Sequence, residues 1–392
     1  MQAKPRYDAL VVGARCAGAA AAMLMARRGM KVLAVDRAAY GADTISTHAL
    51  MRGGVLQLHR WGVLPRLREM ATPAVRSTTF HYGTAEPPVA VAIRAMDGVD
   101  ALFAPRRTLL DSVLADAARE AGAEVRHGHS LVALVHRGHD ARVSGAVLVD
   151  PEGRPFEVEA GLVVGADGIG STVARLVESP IIREARATTA AAYGYWSGLP
   201  TEGYHWHYGL GASVGVIPTN AGQCCIFVSV PPARLRAARQ EDRLAWHHAI
   251  LREAAPALAE RVAAARLESR LWVFAGRNGF MRQPCGAGWA LVGDAGYFKD
   301  PLTAHGITDA LRDAELLAEA AATGSEAAMA RYAELRDDLS LPLFEATEAI
   351  AAFDWDLESL KAHHQALNLA MKREVAYLAA LPAAHPAEEM IP

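Results

Sequence analysis

Near the start of the chain the apolar positions come as a short solid block, Ala9-Leu10-Val11-Val12, followed at once by a glycine-punctuated stretch from Gly13 to Gly18. An unbroken apolar run of this length predicts a strand buried on both faces. An Ala-rich run from Ala19 to Arg28 predicts a helix, Gly29 stands where a helix-ending glycine is expected, and Lys31-Val32-Leu33-Ala34-Val35 predicts a second, parallel strand. Further on, Leu110, Val113, Leu114 and Ala117 share one face of a predicted helix running from Arg107 to about Ala121. Leu162-Val163-Val164 is again strand-like, and so is Trp289-Ala290-Leu291-Val292. An amphipathic run from about Ile307 to Ala321 predicts a helix, and residues 341–380 read as helices with Phe344, Ile350 and Phe353 on their apolar side.

The middle of the chain has a different pattern. Between about 186 and 277 aromatic residues accumulate in strand-like segments. Period-two alternation places Tyr204, Trp206 and Tyr208 on one face and His205 and His207 on the other. The two histidines have no third metal ligand near them in sequence, so no metal is expected.

Composition narrows the classes. The chain has 392 residues, enough for one large or two intertwined domains, and a net charge of −3 that suggests no nucleic-acid surface. Basic charge comes from 35 Arg and only 5 Lys. Cys16, Cys224, Cys225 and Cys285 contain no C-x-x-C pair, so a reduced, cytoplasmic chain is expected. The first strand begins near residue 7, which leaves no room for a signal peptide, and no uncharged apolar run is long enough to span a membrane. Oligomeric state is not legible.

Candidate chemistry sits where the patterns change. Gly13-Ala14-Arg15-Cys16-Ala17-Gly18 lies between a strand and a helix, and Asp36 ends the second strand 18 residues after Gly18. This is the dinucleotide fingerprint in its required context: glycines for the turn, a helix N-terminus for pyrophosphate, an acid for ribose hydroxyls. Its middle glycine is replaced by Arg15, whose guanidinium can pair with phosphate. Asp167 sits in a Gly-Asp-Gly turn, and Asp294 in a Gly-Asp pair leading through Pro301 to a helix start at Gly306-Ile307. Arg107 opens a helix, an unfavourable place for a cation unless an anion sits there.

These motifs occur in the order found in the flavin-dependent monooxygenase superfamily typified by p-hydroxybenzoate hydroxylase, which the chain resembles over residues 9 to 314. That superfamily also holds geranylgeranyl reductases and flavin-dependent halogenases. Departures are Arg15 for Gly, Gly296-Tyr297 for Ala-His, and Ala304 for Gly. The resemblance implies an α/β (α+β) fold with a Rossmann-like FAD-binding domain from residues 1–75, 105–182 and 275–340. A mixed or antiparallel-sheet substrate domain (76–104 and 183–274) would be inserted in it, with C-terminal helices over 341–392 as a cap.

It also implies non-covalent FAD. Gly13, Arg15, Gly18 and Arg107 would hold the pyrophosphate region and Asp36 the adenosine ribose, with Arg37 and Leu131 beside the adenine. Asp167 would support the cofactor, Asp294 would bind a ribityl hydroxyl, and the helix entered through Pro301, Gly306 and Ile307 would face the flavin. The segment Asp43–His48 would run near the flavin and the sheet of about 186–277 would lie over it, which makes His48, Tyr195 and His207 the candidate catalytic side chains. The activity implied is a single-component monooxygenase. NADPH or NADH would reduce FAD, O₂ would add as a C4a-hydroperoxide, and a small aromatic or apolar substrate would be oxygenated. The alternative is a C=C reductase of the geranylgeranyl reductase type, to which the Asp300–Ile307 segment is somewhat closer. Halogenation is disfavoured because no lysine lies between Lys31 and Lys299.

Overall fold

Strand β1 (Arg6–Val12), helix α1 (Cys16–Arg27) and strand β2 (Val32–Asp36) form a parallel βαβ unit in the computed structural model, which describes residues 4–138, 142–238 and 240–382. Gly29, at φ +81°, ends α1 as its position predicts, donating to the Ala26 carbonyl at 2.9 Å. Helices α2 (Arg52–Arg60) and α3 (Leu64–Glu69) follow, then strands β3 (Ser77–Tyr82) and β4 (Val89–Ala92). α4 (Arg107–Glu120) leads into β5 (Glu124–His127), parallel to β2. β6 (Ser130–Arg137), β7 (Arg142–Val149) and β8 (Pro155–Gly165) make an antiparallel meander, and β8 returns parallel to β1 before α5 (Thr172–Leu176).

After β9 (Ile181–Glu184) comes the second sheet. It contains β10 (Ala190–Ser197), β11 (Tyr204–Gly209), β12 (Ala212–Pro218) and β13 (Cys224–Val230). Three helices follow, α6 (Pro232–Ala237), α7 (Arg243–Ala254) and α8 (Pro256–Ala263), then the short strands β14 (Arg266–Leu267) and β15 (Trp272–Phe274). The strand order is β14-β10-β13-β12-β11-β3-β4, with β15 beside β10. Its pairings are antiparallel except between β3 and β11. The chain then returns to the first sheet through β16 (Phe280–Arg282), β17 (Cys285–Gly286) and β18 (Trp289–Leu291), β18 lying parallel to β8. β19 (Tyr297–Phe298) precedes α9 (Gly306–Thr323), α10 (Glu326–Ala351) and α11 (Leu357–Ala380).

The packing explains the patterns. Every residue from Cys16 to Met25 is buried, so α1 is apolar all round and lies between the first sheet, α4 and α9. Its alanines let α9 come close: a Cβ on Gly293 would stand 3.1 Å from the Ala310 Cβ and 3.2 Å from the Ala17 Cβ. On the second sheet Tyr193, Tyr195, Tyr204, Trp206 and Tyr208 join the core shared with α1, α2 and α4. The opposite face, with Trp196, Val214, Val216 and Ile226, packs under α7 and α8. The C-terminal helices begin 15 residues before the expected run, because Ser325 caps α10 by accepting from the Ala328 N–H. Among the described residues no helix is long and apolar enough to cross a membrane.

Candidate functional site: an FAD cleft

The β1–α1 turn is built by contacts that leave no room for side chains. A Cβ on Gly18 would lie 1.7 Å from the Gly13 carbonyl oxygen, and one on Gly13, itself at φ +100°, 2.3 Å from the Ala166 carbonyl oxygen. Asp36 holds the turn from the side, its carboxylate accepting from the Ala14 and Ala38 N–H groups, both at 2.8 Å. Beside it lies a cleft lined by Ala14, Arg15, Asp36, Tyr40, Asp111 and His127. Arg37 is exposed next to it, and Leu131 packs behind the first sheet against the cluster that contains Leu10 and Val35.

Arg15 occupies the departed glycine position with an extended backbone, so no positive φ is asked of it. Its guanidinium reaches the Asp43 carbonyl (3.3 Å) and lies 3.8 Å from Asp111, yet Nη1 is buried without a hydrogen bond. Asp111 accepts from the Cys16 N–H (3.1 Å) and from Arg107 (3.0 Å), which is buried at the start of α4. An unsatisfied guanidinium beside the starts of two helices that have no side-chain cap is a donor set for phosphate.

The second half of the site comes from the other end of the chain. Asp294 follows β18, and α9 begins without a side-chain cap at Gly306, which is exposed, as is Pro301, while Ile307 is buried. Burial pushes the Asp294 carboxyl up to about 6, against the pull of Arg107 and Lys299. Ala304 adopts φ +52°, a left-handed conformation that glycine takes without strain. Tyr297 is buried against Phe344 and donates its hydroxyl to the Ser340 carbonyl at 3.2 Å. That bond ties the loop to α10. Asp167 spends its carboxylate locally: it accepts from the Ser171 hydroxyl and from the Thr172 N–H at 2.6 Å, so its part in the site is to shape a turn packed on Gly13.

These residues fit FAD. The uncapped α1 and α9 N-termini, the orphaned Arg15 donor, the cleft beside Asp36 and the carboxyl at the mouth of α9 would offer partners for pyrophosphate, ribose, ribityl chain and flavin in turn.

His48 and Tyr195 do meet, 147 residues apart in sequence. His48 Nε2 lies 3.1 Å from the Tyr195 hydroxyl, and its Nδ1 is buried without a partner. Burial, then Arg106 and Arg107, push His48 down to about 3, so it is neutral; burial holds the Tyr195 hydroxyl protonated. His48 has φ +48°, an uncommon conformation of the kind stored at functional sites. His207 does not join them. Alternation along β11 turns it to the opposite face of the sheet, where it stacks on His81. Arg106 was not singled out by the sequence, although its guanidinium lies 3.6 Å from the Tyr195 ring centre and 3.3 Å from Asp43. Tyr40 and His127 in the adenosine-side cleft were missed as well; the one available signal was that β5 must end beside Asp36.

A buried charge network lies behind α9. Arg312 binds Asp309 (3.1 Å), Asp313 (2.8 Å) and Glu374 (2.8 Å), Lys299 pairs with Asp309, and His305 meets Glu374 at 2.6 Å. Burial alone would raise Glu374; His305, Arg312 and Lys299 hold it low instead.

The profile of the FAD binding domain family matches residues 6–340. The chain is 33% identical over 172 residues to digeranylgeranylglycerophospholipid reductase 2 of Methanothermobacter thermautotrophicus, covering 43% of this chain and 41% of that protein. It is 25% identical over 329 residues to the digeranylgeranylglycerophospholipid reductase of Methanosarcina mazei, covering 81% of this chain and 75% of that protein. It is 33% identical over 175 residues to the 12-dehydrotetracycline 5-monooxygenase/anhydrotetracycline 6-monooxygenase of Streptomyces rimosus, covering 44% of this chain and 33% of that protein. Two of these matches thus span less than half of the relative. Among solved structures, the flavin-dependent brominase Bmp2 has the same fold, with a TM-score of 0.79 at 18% identity over 95% of this chain and 93% of that one.

Proposed function

The chain belongs to the FAD binding domain family, within the FAD-dependent monooxygenase superfamily, and from that premise we propose that it is a single-component, NAD(P)H-dependent monooxygenase of a small aromatic or apolar molecule. That it is an FAD-dependent oxidoreductase follows from the family itself. The observation that carries the finer reading is an aromatic sheet face buried in the same core as α1 and α4, with a polar pair, His48 and Tyr195, set into it. FAD held in this site would supply the redox chemistry, with NADPH or NADH as its electron donor.

The chain's own residues do the rest. The α9 N-terminus favours negative charge on the reduced cofactor. Tyr193, which accepts from the Ser46 N–H at 2.8 Å, fastens the Asp43–His48 segment to the sheet. Burial keeps Tyr195 protonated, so it can offer a hydrogen bond at Oη, and neutral His48 orients that hydroxyl through Nε2. The aromatic face excludes water, so reactive oxygen chemistry proceeds dry.

A second reading, reduction of a C=C bond, is supported by the Methanosarcina mazei reductase, which aligns over 81% of this chain, and by the protonated Tyr195, which suits an acid that completes hydride addition. The two separate in one experiment: turnover of NADPH with a panel of phenols and of prenyl-chain substrates, with and without O₂. Oxygenation requires O₂, with one atom of ¹⁸O₂ in the product. Product formation at full rate under anaerobic conditions overturns it in favour of reduction.

A further inference from the structure

Outside the flavin site the chain assembles a second cluster with ligand chemistry. Alternation along β11 places His205 and His207 on the face away from Tyr195, and parallel pairing with β3 sets His81 directly beside His207. One ring nitrogen from each of the three lies within 4.8 Å of the others. His81 Nε2 stands 3.2 Å from His205 Nδ1. Two nitrogens bound to one tetrahedral zinc at its usual bond length stand ~3.3 Å apart, so this spacing already suits an ion.

Tautomer and charge suit it too. His205 donates its Nε2–H to the Glu202 carbonyl at 2.8 Å, which leaves the Nδ1 lone pair facing the cluster. His207 makes no hydrogen bond among the described residues; its ring stacks 4.0 Å from that of His81 and can turn to aim a nitrogen inward. No carboxylate is hydrogen-bonded to any of the three rings among the described residues, and neutral imidazole is the form that binds metal. All three are half-buried, open enough for an ion to enter. The other dense group of this kind, His305, Asp309 and Glu374, is already neutralised by Lys299 and Arg312 and has no such vacancy for charge.

We propose that His81, His205 and His207 bind one divalent transition-metal ion, zinc by preference, with water as the fourth ligand. Three imidazoles without a carboxylate select zinc and its neighbours over magnesium or calcium. The ion would join β3 to β11 across the parallel pairing that carries β4, whose four residues are exposed. It lies on the side of the sheet away from His48 and Tyr195, so its role is to fasten the sheet edge.

The test is calorimetric titration of zinc chloride into the purified, flavin-containing chain, after chelator treatment, alongside His207→Ala and His81→Gln. The wild type is expected to take up one zinc per chain and to melt at higher temperature with zinc. Each variant should lose both effects while keeping wild-type flavin content, which reports that it folds. Cobalt(II) should give tetrahedral bands to the red of the flavin absorption. Wild-type protein without stoichiometric zinc uptake, or variants that bind zinc as it does, overturns the site. Having two variants guards against a folding defect in either one.

Discussion

At Asp294 the chain places a carboxyl between burial and two cations, and burial wins: the group is raised to about 6 from 3.8. The folded chain then holds this proton more tightly than the unfolded chain does. The stability it contributes is present in full below 3.8 and is lost as pH rises through about 6. Asp294→Asn removes the dependence. Urea unfolding of the cofactor-free chain is expected to show the variant gaining on wild type by about 2 kcal/mol between pH 4 and pH 8. A difference that stays flat with pH would contradict the buried carboxyl. At this scale the sequence was partly readable. Asp36, Asp294 and Arg107 are chemically unusual for their local positions: Asp36 lines the cleft and holds the β1–α1 turn, Arg107 is buried against Asp111, and Asp294 is buried with a raised carboxyl. Asp167 reads in sequence as supporting the cofactor, with a turn-former as the alternative, and its carboxylate accepts from Ser171 and Thr172 within its own turn. Tyr297 and Ala304 were visible only as departures, since their reasons lie in α10 and in a left-handed φ.

At the scale of elements, α9 is the piece on which the site depends, and α1, α2, α10 and α11 hold it, α10 through the Ser340 hydroxyl that accepts from Arg312. α2 approaches through Gly54, where a Cβ would stand 2.9 Å from the Thr308 hydroxyl. α1 meets it through Ala17. α11 contributes Glu374, wholly buried, to Arg312 and His305. The C-terminal run therefore does more than cap the fold: it neutralises the charges behind the flavin end of the site. Glu374→Ala strands the Arg312 guanidinium without one partner, and removing one member of a buried pair costs about 3–5 kcal/mol. Thermal and urea unfolding should report that loss, with flavin released earlier in the transition than in wild type. A variant within about 0.5 kcal/mol of wild type would show that Asp309 and Asp313 suffice for Arg312. None of this was legible locally. Periodicity marks a helix in this region, but says nothing of which distant helix its one buried acid will meet, just as it could not bring His81 to His207 across 126 positions.

At the scale of the whole molecule, the first forty residues and the segment after β18 close one site around α1, with the aromatic sheet packed into the same core. The order of motifs along the chain made this arrangement readable, because each is a strand-to-helix turn and parallel strands bring such turns to one edge of a sheet. What the order could not convey is which face of the second sheet turns inward. That is decided by packing: the tyrosine-rich face buries in the core shared with α2 and α4, and the other face, aliphatic apart from Trp196, goes under α7 and α8. The central claim is that the two ends together form the FAD site, with Asp294 at the flavin half. The direct measurement is fluorescence titration of FAD into the cofactor-free chain, wild type beside Asp294→Ala. The account predicts one FAD per wild-type chain and at least about tenfold weaker binding by the variant, ~1.4 kcal/mol. A wild-type chain that binds no FAD, or a variant that binds it with wild-type affinity, would contradict it.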